Sequence, residues 1–167
     1  MVSLKQKFKF AITKSSIYAN NQNDNFTFDI NNIRSVNVNF SIIPMHNFFS
    51  SNSHDVFDQL VFESVYFIVG LFKNTSNEQR LVNILVYSNE DVEDVERNIY
   101  GINTEYDIDI FNFDTPTSYV VKLGFYVGND DFQDNREAAI FYMNRLVENQ
   151  LFESVIPFEN QGGWIHE

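Results

Sequence analysis

The side chains of this chain that could do chemistry are few and scattered. His46, His54 and Asp55 lie close together and His166 could join them in space, but no two histidines stand four apart on a helical pattern, the spacing that aims two imidazoles at one metal ion. Loop and surface histidines are the simpler account. The acidic run Glu90-Asp91-Val92-Glu93-Asp94-Val95-Glu96 and the group Asp130, Asp131 and Asp134 offer oxygen ligands for calcium or magnesium. Neither carries the alternating ligands, central glycine and closing glutamate of an EF-hand loop, so helix capping and solvated faces explain them. Asp107, Asp109 and Asp114 suggest paired carboxylates for acid-base work, yet alternation places the first two on an outer face with no lysine or histidine close in sequence. Gly124 and Gly128 are isolated, no glycine-rich loop opens a helix, and no nucleophile elbow is present. Lys5, Lys7 and Lys9 alternate with Phe8 and Phe10, a basic and aromatic pattern able to stack bases. A strand beside an acidic neighbour accounts for it more simply. The expectation is therefore no enzyme, no cofactor and no metal.

The elements that would hold these residues centre on 105–149. Tyr106, Ile108 and Ile110 alternate with Asp107 and Asp109, a strand with one buried face. Phe111-Asn112-Phe113 shifts that pattern by one residue, as a bulge would. Asp114-Thr115-Pro116-Thr117-Ser118 has turn chemistry, and Tyr119 to Val127 is apolar on both faces apart from Lys122, predicting a central strand covered on both sides. Asp134 with Glu137 forms an acidic capping box for a helix. Its expected inner stripe is Ile140, Met143, Val147 and Leu151, with Ala139 and Leu146 beside it and Asn144, Arg145 and Glu148 on the opposite face, so Val147→Asp should cost several kcal/mol.

Earlier in the chain, Phe8, Phe10 and Ile12, then Phe26, Phe28 and Ile30, then Val36, Val38, Phe40 and Ile42 alternate with polar residues, giving three half-buried strands. Residues 44–59 read as an irregular loop with a short helical turn at 54–59, followed by a strand to about Phe72, a hairpin loop at 73–79 and a returning strand, Leu81 to Tyr87. A second helix is predicted next, capped by Ser88 or Asn89, with Val92, Val95 and Ile99 inside and Gly101 at its end. Residues 60–100 and 105–149 then repeat one pattern, hairpin followed by helix. Phe152 to Phe158 adds an edge strand. The fold class expected is α+β, a mainly antiparallel sheet of about seven strands with two principal helices in the order βββ-ββα-ββα. It forms one domain over 1–167, comprising an N-terminal β segment (1–43), the loop (44–59) and two hairpin-plus-helix units with a tail (60–167).

With 167 residues the chain is long enough to bury a substantial core without staples, and it has no cysteine for disulfides or thiolate sites. No apolar run reaches the length of a membrane span, and the first residues lack the apolar core of a signal peptide, which predicts a soluble, unprocessed protein in a host cytoplasm or a virion. Net charge is −12, distributed as +3 over residues 1–52 (five basic, two acidic) and −15 over the remainder. Such a field repels nucleic acid and favours solubility and basic partners. The eighteen phenylalanines and the many asparagines have AT-rich codons. Together these features point to a non-enzymatic structural or assembly protein, such as a bacteriophage virion component of the neck, connector or tail, working as a homo-oligomer or within a larger assembly. An acidic inhibitor that imitates DNA and fills the basic groove of a host enzyme is the alternative. The expected contact residues are Trp164 and Ile165 at the C-terminus, Phe48 and Phe49 in the irregular loop, and Lys7 and Lys9 in the first strand.

Overall fold

The computed structural model describes residues 10–19, 28–29, 33–44, 65–88, 91, 93–96, 99–113, 117–128 and 135–159. Alternating apolar residues build most of it. Strands β1 (Phe10–Ala19), β3 (Ser35–Pro44), β6 (Glu93–Glu96) and β7 (Ile99–Asp107) form one four-stranded antiparallel sheet in the order β1-β3-β7-β6. Strands β4 (Val65–Asn74), β5 (Gln79–Tyr87), β8 (Ser118–Val127) and β9 (Gln150–Val155) form a second in the order β5-β4-β8-β9. The short strands β2 (Phe28–Asp29) and β10 (Phe158–Glu159) pair in parallel.

The two sheets pack face to face, each burying an apolar side against the other. Val36, Val38, Phe40, Ile42, Ile102 and Tyr106 of the first sheet meet Val65, Phe67, Val69, Leu71, Val121, Leu123 and Phe125 of the second in one continuous core. The Phe10 ring meets Phe67 and Phe125 edge-on with centroids 5.0 and 5.1 Å apart, and Phe40 meets Phe152 at 5.1 Å. Chain connections lock the layers together: β3 leads into β4 and β7 into β8 across the sandwich, while β3 pairs with β7 and β4 with β8.

Among the described residues one α-helix, α1 (Asn135–Glu148), covers the other side of the second sheet. This explains why β4 and β8 are apolar on both faces while β3 is not. The helix sits on two glycines. A Cβ at Gly70 would lie 2.6 Å from Leu146 Cδ2, and one at Gly124 2.8 Å from Leu146 Cδ1 and 3.0 Å from the Leu146 carbonyl oxygen. The missing side chains form the hollow that receives the fully buried Leu146. Phe141 and Tyr142 pack beside it against Tyr126, and the Arg145 guanidinium lies 4.6 Å from the Phe141 ring centre.

Several expectations from sequence need correction. The α+β pattern βββ-ββα-ββα with two principal helices is replaced, among the described residues, by a β-sandwich with one helix. The predicted helix after Ser88 is instead the hairpin β6–β7. Its capping signal is real but serves a single turn, in which the Asp91 carboxylate accepts from Ser88 N–H at 2.9 Å and Ser88 Oγ at 3.0 Å. Beyond it, Tyr100, Ile102, Thr104 and Tyr106 alternate, and pairing of β7 with β3 over Ser35–Ile42 outweighs the local helical signal. The repeated hairpin-plus-helix unit disappears with that helix.

The orientation of α1 also differs. Ile140 and Val147, assigned to the inner stripe, are 51% and 62% exposed, and Arg145, assigned outside, is half-buried against aromatic rings. The glycine hollow selects Leu146, and the helix rotates to seat it. The strand expected through Ile110 ends at Asp107, where a 3-10 turn (Ile108–Ile110) begins, so the phase shift at Phe111 marks departure from the sheet rather than a bulge.

Candidate functional site

The residues singled out for contacts, Lys7, Lys9, Phe48, Phe49, Trp164 and Ile165, lie outside the described residues, as do His46, His54, Asp55, His166 and Asp114. Of the carboxylates, Asp107 acts locally, since its Oδ1 accepts from Asp109 N–H at 3.1 Å and starts the 3-10 turn. Among the described residues no three histidine, aspartate or glutamate side chains converge as a metal site.

Two tyrosines are held in the neutral form. Tyr106 is almost fully buried, and its hydroxyl has no hydrogen-bond partner among the described residues. Burial, and secondarily the neighbouring Tyr87, push its pKa well above the ordinary tyrosine range. Tyr87 reaches across the sandwich to Thr104, with 2.8 Å between the hydroxyls. Tyr119 is buried at the start of β8, where burial raises its pKa and the Asn112 backbone partly opposes the rise. Its hydroxyl accepts from Asn112 N–H at 2.6 Å and donates to the Asn112 carbonyl at 3.0 Å, fastening the β7–β8 crossing to the core. Phe111, Phe113 and Phe158 surround the ring edge-on. This cluster holds the fold together rather than offering a reactive group.

Among the described residues, two surfaces present groups that a partner could use. The first is the free edge of β5. Only β4 pairs with β5 among the described residues, so a row of backbone donors and acceptors faces outward. After Gln79 and Arg80 the strand runs Leu81-Val82-Asn83-Ile84-Leu85-Val86-Tyr87, with no charge, proline or glycine, and none of these residues is fully buried. Strand edges normally carry such guards against pairing with other chains. Sequence reasoning identified this strand but not its place at an edge, which depends on the long-range partnering of β4 with β8.

The second surface is the outer face of the β1-β3-β7 sheet. Inward-facing residues in β1 are Phe10 and Ile12 at even positions, then Ile17 and Ala19 at odd ones. A register shift between Ile12 and Lys14 makes the switch, leaving Thr13 unpaired in the ladder. It turns Lys14, Ser16 and Tyr18 outward. Ser16 then lies opposite Asn39, which lies opposite Asn103, and Lys14 lies opposite Ser41, which lies opposite Gly101. These two rungs line a depression of about 180 Å³. Asn39 Nδ2 donates to Tyr18 Oη at 2.8 Å, which fixes the amide in its rotamer. The change of phase in β1 was present in the sequence and was the signal that could have located this face.

The described residues contain no helix long and apolar enough to cross a membrane. No protein-family description, curated protein or solved structure matches the chain.

Proposed function

We propose that the protein is a non-enzymatic assembly subunit that joins a second copy of itself through the β5 edge. The observation carrying this reading is the unguarded apolar run Leu81 to Tyr87 along a sheet edge that no strand among the described residues pairs with. Antiparallel pairing of β5 with β5 would extend each four-stranded sheet into its neighbour's and satisfy the outward backbone groups of both. Charge supports that orientation. Arg80 at the start of β5, Glu78 just before it and Lys73 opposite Arg80 on β4 sum to a net +1, and the far end of β5 leads to the exposed Asp91, so antiparallel copies bring opposite charges together. A two-fold contact of this kind is self-complementary and closes on itself. The setting we infer is a virion substructure such as a bacteriophage neck, connector or tail, which the phenylalanine- and asparagine-rich composition favours.

Sedimentation velocity over a range of concentrations tests this reading. Wild type should dimerise or assemble further, whereas Val86→Lys should sediment as a folded monomer. Val86 is half-exposed and belongs to neither apolar core cluster, so the substitution spares the fold. Wild type that remains monomeric at every concentration, or a Val86→Lys variant that assembles as wild type does, would refute it.

A further inference from the structure

We propose that the depression on the outer face of β1, β3 and β7 is a saccharide site that takes one uncharged pyranose ring. Its lining is almost wholly hydrogen-bonding: the amides of Asn39 and Asn103, the hydroxyls of Ser16 and Ser41, and the ammonium of Lys14. Phe40 contributes backbone alone, because its ring points into the core against Phe152. A primary amide presents donors and an acceptor side by side, and a serine hydroxyl presents both on one atom. Adjacent hydroxyls on a sugar ring have the same dual character, so each can be matched twice. An apolar ligand would find no apolar side chain here, and a polyanion would meet the field of a chain with net charge −12.

Size and rigidity fit the same ligand. At about 180 Å³ the space falls below the roughly 300 Å³ at which pockets for drug-sized molecules begin, and suits a single ring. Gly101 contributes no side chain to the floor, which leaves the hollow between Ser41 and Asn103. The groups are held by strands rather than loops, and Asn39 is fixed by Tyr18, so little ordering remains to oppose binding. The register shift at Thr13 is the device that brings β1 into the site: without it, Lys14 and Ser16 would point into the core. This inference is independent of β5 pairing, since the two surfaces lie on different sheets.

The test is a titration of the full chain, labelled for side-chain amide NMR, with glucose, galactose, mannose and N-acetylglucosamine, and separately with inorganic phosphate. At least one sugar should shift the Asn39 and Asn103 amide signals saturably. Asn103→Leu, at an exposed position, should weaken that sugar about fivefold or more, as loss of a hydrogen bond implies, while leaving signals elsewhere in place. Ser16→Ala should weaken it in the same direction. The proposal is overturned if no sugar gives a saturable shift at these amides, if phosphate alone moves them, or if both variants bind as wild type does.

Discussion

Gly124→Ala tests the seat of the helix. The new methyl would lie 2.8 Å from Leu146 Cδ1, which can swing aside, but also 3.0 Å from the Leu146 carbonyl oxygen and 3.1 Å from that of Asn149, which cannot move without lifting the end of α1. Overpacking of this kind costs about 1–3 kcal/mol. Loss of glycine's freedom in the unfolded chain returns about 0.4–1 kcal/mol. The net should be a destabilisation of about 1–2 kcal/mol in urea unfolding, a balance of those two terms. Gly70→Ala differs in kind, because its closest contacts are side-chain atoms alone, Leu146 Cδ2 at 2.6 Å and Phe72 ring carbons at 2.8 and 3.3 Å. In a Leu146→Ala background, which itself should cost about 2–5 kcal/mol, the Gly70→Ala penalty should fall to what its Phe72 contact imposes while much of the Gly124→Ala penalty persists. Equal stability of Gly124→Ala and wild type, or strict additivity of Gly70→Ala with Leu146→Ala, would show that Leu146 does not occupy the hollow.

Other consequences follow from single contacts. Val147→Asp, at a position 62% exposed, should change stability by no more than about 0.5 kcal/mol. Tyr119→Phe removes the partner of both Asn112 backbone groups and should cost about 1–3 kcal/mol in the same assay, with the sandwich otherwise intact by circular dichroism. Tyr106 ionises in the unfolded chain near the ordinary value of 10 but only at higher pH when folded. Its contribution is therefore complete below pH 10 and is lost as pH rises from there through the folded pKa, at about 1.4 kcal/mol per pH unit. Urea midpoints from pH 9 to 12 should fall less steeply for Tyr106→Phe than for wild type, and identical slopes would argue against the buried neutral hydroxyl.

Where one physical signal acted alone, the sequence was readable. Val36 to Ile42 alternates strictly and lies half in the core, and Tyr119 to Val127, apolar on both faces, is central and covered on both sides. Competing signals misled. Ser88 and Asp91 bond a turn as they would a helix start, so only the pairing of β7 with β3 reveals that a hairpin follows. Met143 packs inward as its spacing implies, but Ile140 and Val147 do not, because Gly70 and Gly124, far apart in sequence, open a hollow that turns the helix toward Leu146. The polar depression escaped notice for a related reason: it joins side chains from β1, β3 and β7, which become neighbours only through strand register.

Residue-resolved hydrogen exchange over Leu81 to Val86 at two protein concentrations decides whether the β5 edge joins copies of the chain. The β5 amides that do not bond to β4 should exchange rapidly in dilute solution and become protected as concentration rises, with β8 unchanged. Equal exchange at both concentrations, or protection gained elsewhere and not in β5, would contradict it.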